Sequence, residues 1–199
     1  MHETTALRHG LEDTSIRNLV AEEESNVLIT HQPFTGKLLV KGIQLDSTIE
    51  ASIQTVFGVL PEQGRVISGS PWSAMSWGTN EYLMTNSNTS AVQEFLDVNQ
   101  PLEENDMFMV DLSAAYQCFQ ISGSASIDLI TSCCALDVQN PDFSVNSVTA
   151  CRLGPYRVVI HHVSDPAIFD MYIERSLATP FVGYLVASGY PFKVSYSEP

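Results

Sequence analysis

The chain predicts an α+β fold made of two related β-α-β-β halves, with mostly antiparallel sheets packed against helices. Three observations carry this expectation. Strand-like runs come in pairs joined by short turn signals, such as Gly78-Thr79-Asn80 and Gly154-Pro155, which is the pattern of antiparallel hairpins. Helical periods fall between these runs without the strict one-to-one alternation that a parallel sheet requires. No Pro- or Ser-rich linker divides the chain, so the halves share one body.

Composition narrows the class further. With 199 residues, the chain can bury roughly 70% of its unfolded surface and needs no metal or disulfide to fold. It is 44% hydrophobic and only 16% charged, below the about 25% charged of ordinary soluble domains. A surface so poor in charge suits a protein that covers part of itself with partners. The net charge of -14 argues against nucleic acid, whose binding draws on Lys and Arg releasing phosphate counterions, and against an anionic membrane surface. No signal-like opening and no apolar run of about 20 residues is present, so a cytoplasmic location is expected.

Residues 1–36 show no sustained period and carry Glu22-Glu23-Glu24. They read as an N-terminal arm lying on a partner subunit or as a disordered tail; the apolar Val27-Leu28-Ile29 favours a surface to lie on. Residues 37–199 are expected to form the domain, with pseudo-repeat halves of about 37–112 and 113–199.

A strand is expected over Lys37–Leu45, running into the capping box Ser47-Thr48-Ile49-Glu50 and a helix whose stripe is Ile49, Ile53, Val56 and Phe57. Gly58 and Pro61 close it. Two strands, SAMSW and EYLMT, make a hairpin, and Ser90 with Gln93 starts a second helix burying Val92, Phe95 and Leu96. After an acidic exit loop at Pro101–Asp106, one strand ends on Asp111 and another spans Tyr116–Ile121. Gly123 then turns the chain into a helix with Ile127, Ile130 and Cys134 on one face and Asp128 near its positive end. Strands SVTACRL, YRVVIHHV and AIFDMYIER form a meander. Arg175-Ser176 opens the last helix, with Pro180 in its first turn and Phe181, Tyr184 and Leu185 inward.

Chemical motifs are sparse. His161 and His162 are adjacent on a strand and point to opposite faces, so they do not chelate one metal together. Cys118, Cys133, Cys134 and Cys151 lack C-x-x-C spacing and read as reduced core thiols; no local signature makes Cys133 or Cys134 a nucleophile. Ser122-Gly123-Ser124 and Leu153-Gly154-Pro155 are turns, not phosphate loops. Asp111, Asp128, Asp137 and Asp170 are spread over several elements. Arg175, one of only nine Lys and Arg, suits an ion pair within the core or at an interface, with a substrate anchor as the other reading.

Several segments together resemble the gamma subunit of heterotetrameric sarcosine oxidase. They are Phe57-Gly58-Val59-Leu60-Pro61, Trp77-Gly78-Thr79-Asn80-Glu81-Tyr82-Leu83, Val110-Asp111-Leu112-Ser113, Ile121-Ser122-Gly123-Ser124-Ala125, Cys134-Ala135-Leu136-Asp137 with Phe143, and Arg175-Ser176-Leu177-Ala178. The match runs from about Leu38 to Gly189. Trp77, Thr79, Tyr82 and Leu177 depart from the family pattern, which bears on the substrate more than on the fold. The resemblance implies a fold like the folate-binding module of the glycine-cleavage T-protein. It further implies a non-catalytic chain in a complex that oxidatively demethylates sarcosine or a related N-methyl amine. FAD, FMN, NAD, tetrahydrofolate and zinc would then sit on alpha, beta and delta partner subunits, with no cofactor or metal on this chain. Asp111, Ser113, Gly123, Asp137, Arg175 and Ser176 are the implied structural or interface positions. A free-standing, T-protein-like folate-binding carrier of one-carbon units is the alternative.

Overall fold

A computed structural model describes residues 25–32, 34–42, 47–99 and 107–197, without the side chains of 47–49 and 107. The expected arm over 1–24, the Ser47 and Ile49 side chains of the capping box, and the exit loop at 101–106 lie outside the described residues. The strands are β1 (Val27–His31), β2 (Gly36–Gly42), β3 (Val66–Ser68), β4 (Trp72–Gly78), β5 (Glu81–Asn86), β6 (Met107–Asp111), β7 (Tyr116–Ser122), β8 (Val148–Leu153), β9 (Tyr156–Ser164), β10 (Ile168–Glu174) and β11 (Val194–Ser197). The helices are α1 (Ser47–Phe57), α2 (Ser90–Asn99), α3 (Ser126–Cys133) and α4 (Ala178–Ser188), the last entered through a 3-10 turn at Arg175–Leu177.

Two sheets result, in the orders β3-β4-β5-β2-β6 and β8-β9-β10-β7-β1-β11. Every pairing is antiparallel except that of β1 with β11. The sheets stack face to face between two helical layers, and strand alternation explains how. On β5, Tyr82 and Met84 join Ile53, Val92 and Phe95 of α1 and α2 in one core, while Leu83 turns to the other sheet. On β10, Phe169, Met171 and Ile173 pack with Leu129 of α3 and Phe181 of α4, while Tyr172 turns inward. The layer between the sheets holds Met75 and Leu83 against Cys118, Val159 and Tyr172.

The halves are related, but their boundary differs from the expected one. In each sheet, one half supplies four strands in the same spatial order, β3-β4-β5-β2 or β8-β9-β10-β7. The fifth place goes to the first strand of the other half: β6 pairs with β2, and β1 pairs with β7. The Gln32 N–H donates to the Cys118 carbonyl at 2.9 Å and the Leu112 N–H to the Lys37 carbonyl at 2.8 Å, so matching bonds close the exchange on both sides. The repeat therefore begins anew at β6 rather than at residue 113.

The arm reading also needs correction from Val27 onward. β1 is hydrogen-bonded on both edges, and Val27 and Ile29 are fully buried under α3 and α4. These apolar residues find their surface in the chain's own second sheet. β3 and β11, strands of three and four residues, carry too little period to show in the sequence. Two stripes shift as well. Val56 is exposed, and α3 buries Leu129, Ile130 and Cys133 while Cys134 caps its end.

Candidate functional site

Two features concentrate polar groups where chemistry has room: the axis between the exchanged halves, and a groove beside the β9–β10 corner. At the axis, Lys37 of β2 is only 2% exposed. Its ammonium donates to the Thr35 carbonyl at 3.1 Å and lies 5.5 Å from the centre of the Phe34 ring. Burial lowers its pKa, opposed by Cys118 and Asp111. Cys118 and Tyr172 are cross-strand partners on β7 and β10; burial and neighbouring Asp170 push the Cys118 thiol up. The next pair along, Gln120 and Asp170, is joined by a 3.0 Å bond from Nε2 to Oδ1. Burial raises the Asp170 carboxyl, opposed by that bond. His161 follows across β9, and burial with the charge of His162 pushes it down to about 4. This row is a partly buried polar ladder between the sheets.

The groove has a volume of about 760 Å³ and is lined by Ile127, Val138, Phe143, His162, Asp165 and Phe169 among others. His162 is held between Phe169 and Phe143, with ring centres at 4.9 and 6.2 Å. Its Nδ1 donates to the Phe143 carbonyl at 3.1 Å, and its buried Nε2 makes no hydrogen bond. That atom lies 3.7 Å from Asp165 Oδ1. A second groove of about 420 Å³ shares Asn140 and Phe143 and adds Arg65, Asp137 and Asp142. Arg65 is engaged there, its Nη1 donating to Ser144 Oγ at 3.0 Å and Ser147 Oγ at 2.7 Å.

The six positions singled out from sequence separate into three places. Asp111, Ser113 and Arg175 gather at the crossing from β6 to β7. Asp111 Oδ1 accepts the Ser113 N–H at 2.8 Å, Ser113 Oγ accepts the Lys37 N–H at 2.9 Å, and the Arg175 N–H donates to the Ala115 carbonyl at 2.7 Å. Ser176 is exposed beside them. Gly123 stands at the far end of β7 with φ of 111°. Asp137 caps a turn through the Gln139 N–H at 3.1 Å and lines the smaller groove. Sequence reasoning missed Lys37, which reads as an ordinary strand residue; its place in the apolar run Lys37-Leu38-Leu39-Val40 was the available signal. Among the described residues no group of three or more His, Cys, Asp or Glu is placed to hold a metal ion, and no helix is long and apolar enough to cross a membrane.

The fold is a two-sheet α+β architecture whose halves exchange their first strands. Among solved structures, the chain is similar to a chain of heterotetrameric sarcosine oxidase from Corynebacterium sp. U-96, solved with pyrrole 2-carboxylate. The TM-score is 0.76 at 20% identity, covering 90% of this chain and 92% of that one. It is also similar to the glycine cleavage system aminomethyltransferase T from Bartonella henselae, with a TM-score of 0.58 at 8% identity over 87% of this chain. Against that protein it spans about half the length, 48%. Neither protein-family models nor curated proteins give a match. The likeness establishes the T-protein-like α+β fold.

Proposed function

We propose that this chain is a gamma-type, non-catalytic subunit of a flavin-dependent complex of the sarcosine oxidase kind, which demethylates sarcosine or a related N-methyl amine. The observation that carries the reading is the end-to-end correspondence with a chain of the heterotetramer, 92% of that chain, against 48% of the T-protein. A protein matched along its whole length by a subunit has the size and outline of a subunit. Its surface supports the same reading. Phe108 and Val110 on β6, at the margin of the first sheet, are 65% and 43% exposed, and Tyr190 is 87% exposed; such side chains are suited to burial by a partner. On this reading the flavins, the nicotinamide cofactor, tetrahydrofolate and zinc belong to the alpha, beta and delta partners, and the partly buried polar ladder is structural.

Tagged chain co-expressed with the products of its neighbouring genes tests the proposal. Recovery of a yellow, flavin-containing assembly that oxidises an N-methyl amine is the expected result. A monodisperse monomer that never retains a flavoprotein overturns it.

The T-protein likeness favours one second reading, a free-standing folate-binding carrier. Titration calorimetry separates the two, since micromolar binding of tetrahydrofolate by the isolated chain supports the carrier and is not expected of the subunit.

A further inference from the structure

The β8–β9 hairpin carries a pair of charges that the chain leaves uncompensated. Arg152 of β8 and Arg157 of β9 are register partners, next to the closing pair of Leu153 and Tyr156. Side chains directly opposed in this way start about 5 Å apart on one face, and like charges so placed destabilise the pairing. The chain has 23 Asp and Glu against nine Lys and Arg. Even so, among the described residues neither guanidinium takes part in an ion pair or a hydrogen bond. Glu174 lies on the same face, since Tyr172 stands opposite Val159, and it too leaves them unpaired. Both arginines are exposed. The next pair on their face, Ala150 and Val159, packs in the layer between the sheets, so the arginines stand at the rim of that layer. Trp77 packs in the same layer from β4, and its buried indole N–H has no hydrogen-bond partner.

The chemistry that complements two opposed guanidiniums is a set of carboxylates, each taken through paired N–H···O bonds. Arginine is also among the residues enriched where proteins meet. Neither groove is lined by Arg152 or Arg157. The pair stands on an open strand face, where a small anion gains little of the enclosure that small-molecule sites provide. Resting on the subunit reading, we propose that Arg152 and Arg157 anchor a segment of a partner subunit that carries closely spaced Asp or Glu side chains. Docking of that segment replaces repulsion between the guanidiniums with charge-assisted hydrogen bonds, so the pair that costs the free chain stability favours the assembly.

Single charge reversals test the site, because repulsion within the hairpin and attraction to a partner predict opposite effects. Arg152→Glu and Arg157→Glu each set a carboxylate opposite the remaining arginine, so each isolated variant should unfold at the same or higher urea than wild type. The affinity of each variant for the flavoprotein co-expressed from the neighbouring genes, followed by flavin retained on dilution, should fall roughly tenfold or more. Wild-type assembly should also loosen as salt rises. Equal retention of flavoprotein by wild type and both variants would overturn the contact and leave the subunit reading standing. Weaker assembly together with a lower urea midpoint in both variants would show a structural role and overturn the contact as well. A wild type that captures no flavoprotein overturns the subunit reading, and the contact with it.

Discussion

The carbonyl oxygen of Asn26 accepts the Ala125 N–H at 3.0 Å and lies so close to Gly123 that a methyl group there would overlap it. This contact clamps the entrance of β1 against the turn that follows its partner β7. Gly123 also holds a φ of 111°, a region that side chains rarely enter. Gly123→Ala should therefore cost about 2 kcal/mol or more, measured by urea unfolding. A loss within about 0.5 kcal/mol, the range of ordinary surface changes, would mean that β1 is not tightly seated.

Ser113 ties the crossing between β6 and β7 to β2 through its side chain. Its Oγ accepts the buried Lys37 N–H at 2.9 Å, and nothing at that position replaces it in Ser113→Ala. An orphaned buried N–H costs about 1–3 kcal/mol, so the variant should unfold at correspondingly lower urea. An unchanged midpoint would show that water takes over the bond.

Lys37 is buried as a cation at a cost. Its folded pKa lies below 10.5, so between the folded value and 10.5 the unfolded chain binds more protons and stability rises with pH. Lys37→Met should be neutral or stabilising by about 1 kcal/mol at neutral pH and should flatten that alkaline rise. A large loss at neutral pH would show instead that the bond to the Thr35 carbonyl outweighs the burial.

His161 gives the opposite limb of the profile. Its folded pKa of about 4 lies below the ordinary 6.5, so it is neutral in the fold at pH 7. As pH falls from 6.5 toward 4 the unfolded chain takes up the proton first, and stability drops by up to ~3 kcal/mol. Asp170, its register partner, has a raised pKa and works against this fall. His161→Leu isolates the histidine: the gap between variant and wild type, followed by unfolding midpoints from pH 7 to 4, should shift in the variant's favour. Parallel profiles would refute the assignment.

Much of the local structure was legible because it rests on short-range chemistry. The Gly78-Thr79-Asn80 turn forms with Asn80 at φ 52°. Val92 and Phe95 are buried on α2, and Phe181 and Leu185 on α4. The meander of β8, β9 and β10 matches its sequence runs within a residue or two. The failures have one kind of cause. Val66–Ser68 and Val194–Ser197 are too short to show alternation, and Val27–His31 gains its meaning only from Ile121 and Tyr196 beside Ile29. The grooves were invisible for the same reason, since Arg65, Phe143 and His162 come from three distant segments.

The sequence alone determined the α+β class, the order of most strands and helices, the two-half organisation and the family resemblance, because periodicity, caps and turns are encoded by neighbours a few positions apart. Only the tertiary structure decided that the first strands change places between the sheets and that the Lys37 and Cys118 carbonyls accept the bonds that close the exchange. Those outcomes depend on pairing between segments tens of residues apart, where burial and hydrogen bonding of the whole chain choose among partners that local composition leaves equal.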